Sequence, residues 1–222
     1  IFGIITSLMM LAMTIKYVIE NASGMNYYSF VDENIIKPLG LVDTYANVPK
    51  YKLDRLASST IETQIMADGK IVDYEYNLGN VNDSKARILS GNNNVAGHAG
   101  LFSSADDMVN LAKGIMNGKV IDDKYVEEMA KNRTGYSYVE DDKTKYVQYL
   151  GYLCYSKNPI LASSEVFHAM SGKTFASAGW AGSYLTVDPI NELYLFMSAN
   201  KTHNRITRLA NKEFREQVVT DE

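Results

Sequence analysis

Val95-Ala96-Gly97-His98-Ala99-Gly100-Leu101-Phe102-Ser103-Ser104-Ala105-Asp106-Asp107 sets a histidine among residues with almost no side chain and then opens a helix. Gly97 and Gly100 admit backbone angles closed to other residues and Ala99 adds little bulk, so another backbone or a ligand can approach His98 closely. Ser103 or Ser104 supplies a helix N-cap, with Asp106 or Asp107 at the third position and a negative charge for the positive end of the helix. On spacing alone two readings of His98 stand: a hydrogen-bonded residue at a loop-to-helix junction, or a member of a site.

The whole chain of 222 residues suits one large domain or two small ones, and 46% hydrophobic with 22% charged residues is ordinary globular composition. A net charge of −4 and the lack of any Lys/Arg run argue against a general nucleic-acid binder, which needs a basic face for phosphates. Sixteen tyrosines suggest wet clefts and half-buried surfaces. The single cysteine, Cys154, precludes an internal disulfide and sits in an apolar aromatic run, as a buried structural thiol does. The three histidines are far apart in sequence and there is no cysteine cluster, so neither a metal nor another cofactor is expected.

Read in order, Ile1 to Ile15 is almost wholly apolar but too short to span a bilayer, and Ile4 to Asn21, apolar on almost every face, predicts a helix buried on most sides. Ser23-Gly24 ends it, and a second helix over 27–37 stops at Pro38 and Gly40. Thr44 to Thr60 reads as loop. In the stretch 61–94, Asp68-Gly69 marks a turn between short runs that could be strands, and 80–94 reads as a surface loop with one helical turn over 84–89. Helices are predicted over 105–116, ended by Asn117-Gly118, and over 122–131, with Tyr125, Val126 and Met129 facing inward. Then the pattern turns to strands: a hairpin of 136–140 and 146–155 around a charged turn, and a second of 175–188 and 193–199 joined by Pro189-Ile190-Asn191. An amphipathic helix over 204–218 closes the chain. The expectation is an α+β protein: a mostly helical part with long loops over 1–134, and antiparallel strands with a C-terminal helix over 135–222, together one domain.

Three motif matches read as chance. Ser171-Gly172-Lys173-Thr174 resembles the end of a phosphate loop, but the upstream glycine it requires falls at Phe167. A serine–lysine hydrolase needs its S-x-x-K on one helical turn, where the amine can take the hydroxyl's proton. Ser198-Ala199-Asn200-Lys201 ends an apolar strand instead. Tyr45-Ala46-Asn47 has the letters of the tyrosine motif used by such enzymes but precedes Val48-Pro49 in a loop.

Several blocks nevertheless resemble, in order, the later part of the serine β-lactamase-like family: class C β-lactamases, low-molecular-weight penicillin-binding proteins and related esterases. They are Ile15 to Thr44, with Asn34-Ile35-Ile36-Lys37-Pro38-Leu39-Gly40-Leu41; Val81 to Arg87; Val95 to Asp107; Phe175 to Pro189; and Leu193 to Asn200. The resemblance implies an antiparallel sheet flanked by helices beside an all-helical subdomain, with the active site at their junction. There, substrate acylates a serine and water releases the product. The third motif, lysine or histidine then threonine-glycine in relatives, falls on Ser177-Ala178-Gly179, so Ser177 keeps a hydroxyl but no charge for a substrate carboxylate. The next backbone N–H, that of Trp180, would be an oxyanion donor. His98 would line the same pocket.

The resemblance also places the nucleophile helix and its tyrosine motif before the Ile15 block, so no catalytic nucleophile is expected in these residues. The fold is expected to be incomplete at its N-terminus, with a missing segment, or a second chain, completing the sheet. The substrate class implied is a small molecule or a peptidoglycan-like peptide, with an extracytoplasmic or envelope location. The alternative is a catalytically degenerate ligand-binding relative.

Overall fold

The structure, a computed structural model, describes residues 2–57, 59–60, 76–77, 79–89, 95–158 and 165–200. The predicted C-terminal helix, the Asp68-Gly69 turn and residues 90–94 of the predicted surface loop lie outside them. The chain divides into two compact units, residues 1–107 and 108–200 among those described.

The first unit is mainly helical. Helix α1 (Phe2–Ser23) ends at Gly24, whose left-handed φ of 68° carries an N–H that donates to Glu20 O at 2.9 Å. Helix α2 (Tyr27–Val31) starts from Asn26, whose side chain accepts from Tyr28 N–H, and runs on through a π-helical turn (Asp32–Ile36) into α3 (Lys37–Leu39). Pro38 therefore sits inside the last turn and does not stop the helix. Gly40 stops it at φ 64°: Gly40 N–H donates to Lys37 O and Leu41 N–H to Ile36 O, the paired bonds of a Schellman cap. Val31, Ile36 and Leu41 form the local core.

One prediction for α1 is corrected. Met10, Leu11, Tyr17 and Val18 are exposed, and at this spacing they fall on one stripe. Apolar composition measures how much a helix can bury, not which neighbours it meets. A 3₁₀ turn (Lys50–Arg55) interrupts the predicted loop, β1 (Ser59–Thr60) pairs antiparallel with β2 (Tyr76–Asn77), and α4 (Ser84–Leu89) is the expected helical turn. Helix α5 (Ala105–Met116) has its predicted bounds. Ser104 is the cap: its Oγ accepts from Asp107 N–H at 3.2 Å. The buried Asp107 carboxylate does not turn back to the cap but accepts from Asp43 N–H at 2.8 Å and Thr44 Oγ1 at 2.7 Å.

The second unit holds the main sheet. Its strands β5 (Tyr155–Ser156), β6 (Phe175–Ala178), β7 (Tyr184–Asp188) and β8 (Leu193–Met197) lie in that order, all antiparallel. Alternation assigns the two faces. Phe175, Leu185, Val187 and Tyr194 pack with Ala112 of α5, and with Val126 and Ala130 of α6 (Asp123–Ala130). Ala176, Tyr184, Leu195 and Met197 pack with Val166, Phe167 and Met170. Tyr125 of α6, predicted to face inward, is exposed, and Ala130 takes the inner position.

Both predicted hairpins are corrected in register. Strands β3 (Ser137–Glu140) and β4 (Lys143–Tyr146) close around Asp141-Asp142, both left-handed, so the charged residues Lys143 and Lys145 are strand and not turn. The run 175–188 is two strands. Gly179 N–H donates to Ser183 O at 2.7 Å and Gly182 N–H to Gly179 O at 3.1 Å, folding the chain back at Trp180. Gly182, at φ 100°, is the residue that makes this return possible.

Candidate functional site

The loop that carries His98 is held against α1. A Cβ on Gly97 would stand 2.5 Å from the Ala12 carbonyl oxygen, and Gly97 has φ 83°, so glycine is required here for two separate reasons. The close approach anticipated from the sequence is thus made by the α1 backbone. Ala96 N–H donates to Ala99 O at 2.9 Å and tightens the loop around His98.

The His98 side chain is only 7% exposed, and its Nε2 lies 3.2 Å from Asp83 Oδ1. Its buried Nδ1 has no hydrogen-bond partner among the described residues. Asp83 Oδ1 also accepts from Ala86 N–H at 2.7 Å, so one carboxylate starts α4 and orients the imidazole. Arg87 donates to the carbonyls of Val81 and Asn82 and fixes the same turn. Asp83 is the residue that sequence reasoning did not assign to the site. The signal available was an acidic residue directly before a helical turn, within a block already recognised.

In the second unit, Ser177 is the penultimate residue of β6, on the face of Phe175, and is exposed. Gly179 N–H is engaged by Ser183 O, so it cannot serve as an oxyanion donor, and the expected donor is the next amide along. Trp180 stands at the turn with 75% of its surface exposed. Lys173, close in sequence to the third motif, is ion-paired with Glu127 of α6. Ser177, Gly179 and Trp180 therefore share one strand end and its turn, whereas His98 belongs to the other compact unit.

Two of the look-alike motifs find structural employment, and Lys201 of the third lies outside the described residues. Tyr45 bridges Phe102 through its backbone in both directions, at 2.9 and 2.8 Å. Its hydroxyl donates to Val42 O and accepts from Lys52 Nζ at 2.6 Å. Lys52 also binds Asp43 Oδ1 at 2.5 Å, and this hydrogen bond pushes the ammonium up to about 12. In the small groove that Tyr45 shares with Ser103 and Ser104, Lys52 is thus tied into an ion pair with Asp43 and a hydrogen bond to the Tyr45 hydroxyl.

Ser171 donates through its N–H at 2.7 Å and its Oγ at 2.5 Å to the buried Asp188, which also accepts from Ile190 N–H, Asn191 N–H and Asn191 Nδ2. Burial works to raise the Asp188 carboxyl, but the Ser171 and Asn191 hydrogen bonds outweigh it and bring it down to about 2. Cys154 is buried and donates to Met129 O; burial pushes its thiol up to about 11, as befits a structural residue.

Comparison with known proteins bears on the family and the fold. The β-lactamase family model matches residues 11–219. An Escherichia coli O157:H7 protein, provisionally named a D-alanyl-D-alanine carboxypeptidase, is 27% identical over 201 residues, covering 87% of this chain and 44% of that protein. The chain thus spans less than half the length of such relatives. A penicillin-binding protein homologue from Caulobacter crescentus aligns with TM-score 0.54 at 15% identity, over 83% of this chain and 49% of that one. Simvastatin synthase from Aspergillus terreus aligns with TM-score 0.55 at 15% identity, over 83% and 47%. The ordered blocks, the α+β architecture and the family match together establish that the chain belongs to the serine β-lactamase-like family.

Proposed function

We propose that this chain forms part of the acyl-transfer site of a serine hydrolase, one that attacks a peptide, ester or lactam carbonyl and passes the acyl group from a serine to water. A segment outside these residues, in the same polypeptide or another, supplies the serine. The observation that carries the reading is the β6–β7 turn, where Ser177, Gly179 and Trp180 stand at the exposed end of the strand that holds the third motif. In this reading Trp180 N–H donates to the developing oxyanion, an interaction worth about 3 kcal/mol in the transition state. Ser177 binds the substrate through a neutral hydroxyl, so a substrate carboxylate gains less than from a cation. The carboxypeptidase name of the E. coli relative favours a peptidoglycan-like peptide. A strand of the same external segment is proposed to pair with β8, the outer strand of the sheet.

Labelling of the longer protein by a fluorescent penicillin or an activated phosphonate tests the mechanism. Absence of labelling, with a chromogenic ester also left intact, would sink it. Adding the external segment should slow hydrogen exchange at Leu193–Met197; unchanged exchange removes the β8 pairing. Ser177, in place of a charged residue, favours a second reading: a ligand-binding relative without turnover. It predicts binding that weakens in His98→Ala, with no product formed.

A further inference from the structure

The β3–β4 hairpin forms a two-stranded sheet that pairs with no other strand among the described residues. Isolated hairpins are marginal in water and need a further strand or a packed face. Here Tyr136, Tyr138, Val139 and Tyr146 are all exposed, with Val139 at 73%. The two edges differ. β4 carries Lys143 and Lys145, the charges that commonly guard an open edge, whereas β3 reads Ser137-Tyr138-Val139-Glu140 with no basic residue and no proline.

The backbone shows which groups β3 leaves outward. Asp141 and Asp142 have φ of 52° and 55°, a two-residue turn that makes Glu140 and Lys143 a hydrogen-bonded pair. Val147 N–H donates to Tyr136 O at 2.9 Å, in phase with it. Residues 136, 138 and 140 therefore bond to β4, and the N–H and C=O groups of Ser137 and Val139 point away from it.

We propose that two copies of this chain associate through the outer edge of β3, antiparallel about a two-fold axis at Tyr138. In that register Ser137 of each copy exchanges two hydrogen bonds with Val139 of the other. Tyr138 faces its own counterpart across the axis as a close, non-hydrogen-bonded pair, and Tyr136 lies opposite Glu140. No like charges oppose one another, and cross-strand aromatic pairs stabilise such sheets. Tyr136 and Tyr138 already touch at 6.1 Å between ring centroids, so the two copies would join their tyrosines into one four-ring row. Pairing through β4 would instead bring lysines together.

Sedimentation velocity on the chain from micromolar to sub-millimolar concentration should show reversible dimerisation. Val139→Pro removes an outward N–H and leaves the β3–β4 ladder intact, and should weaken association at least about tenfold. Tyr138→Cys should form an intermolecular disulfide under mild oxidation, because non-hydrogen-bonded antiparallel partners have suitable spacing. Val139→Cys should not. The buried Cys154 gives no background in the unsubstituted chain. A monomer throughout the range, or cross-linking by Val139→Cys in place of Tyr138→Cys, overturns the proposal. The assay needs no catalytic activity.

Discussion

Gly97→Ala tests the packing of the His98 loop, and its size can be worked out against a second glycine. Gly97 and Gly40 both adopt left-handed backbone angles, at φ 83° and 64°, and both lie in the first unit. Around Gly40 a Cβ meets nothing within 4 Å among the described residues; at Gly97 it would lie 2.5 Å from the Ala12 carbonyl oxygen and 3.3 Å from Lys16 Cβ. Gly40→Ala therefore carries only the conformational penalty, about 1 kcal/mol. Gly97→Ala carries the same penalty plus a clash with helix backbone, which cannot rotate away as a side chain could. Overpacking of this kind costs about 1–3 kcal/mol, for a sum of about 2–4 kcal/mol. Urea unfolding followed by far-ultraviolet circular dichroism measures both variants against the unsubstituted chain. The difference between them isolates the steric part. If the two lose equal stability, the contact between the 95–100 loop and α1 is not as described, and the placement of His98 fails with it.

Asp83→Ala removes the α4 cap and the His98 partner together and should destabilise the first unit by about 1–2 kcal/mol; unchanged urea unfolding would refute the pairing. The Asp188 carboxyl is lower in the folded chain than in the unfolded one, so the unfolded state takes up the proton first as pH falls. Its stabilisation is complete above about pH 4 and drains away as pH falls through about 2. Asp188→Asn should flatten that part of the acid-unfolding profile, and an identical profile would show that the Ser171 and Asn191 bonds do not act as described. Cys154 should resist a thiol reagent at mildly alkaline pH until urea unfolds the chain; fast reaction in the folded state would contradict its burial.

Elements with strong local signals were legible before the structure. Helix α5 has a serine cap at one end and Gly118, at φ 63°, at the other, and both bounds follow from those residues alone. The helical turn Ser84–Leu89 and the buried thiol followed from equally local patterns. Errors arose where local preference left several outcomes open. Asp141-Asp142 is an unusual pair for a tight left-handed turn, since asparagine or aspartate before glycine is the common choice, and the strand boundary was displaced accordingly. The turn at Trp180 lay inside a run that alternates well enough to read as one strand. The Asp83–His98 contact joins residues fifteen positions apart, and no periodicity reports such a pairing. The exposed stripe of α1 depends on its neighbours, which its own composition does not encode.

The chain has one tryptophan, and it stands at the tip of the β6–β7 turn, largely in water. Indole emission from this protein is therefore the emission of a single turn. The folded chain should already emit at the long wavelengths of a hydrated ring, quench readily with iodide, and change little when denatured. Anything that settles over that turn, whether a substrate, an inhibitor or the external segment, should shift the emission to shorter wavelengths and shield it from the quencher. The molecule thus contains its own reporter, silent to unfolding and responsive to occupancy at the strand end where chemistry is proposed.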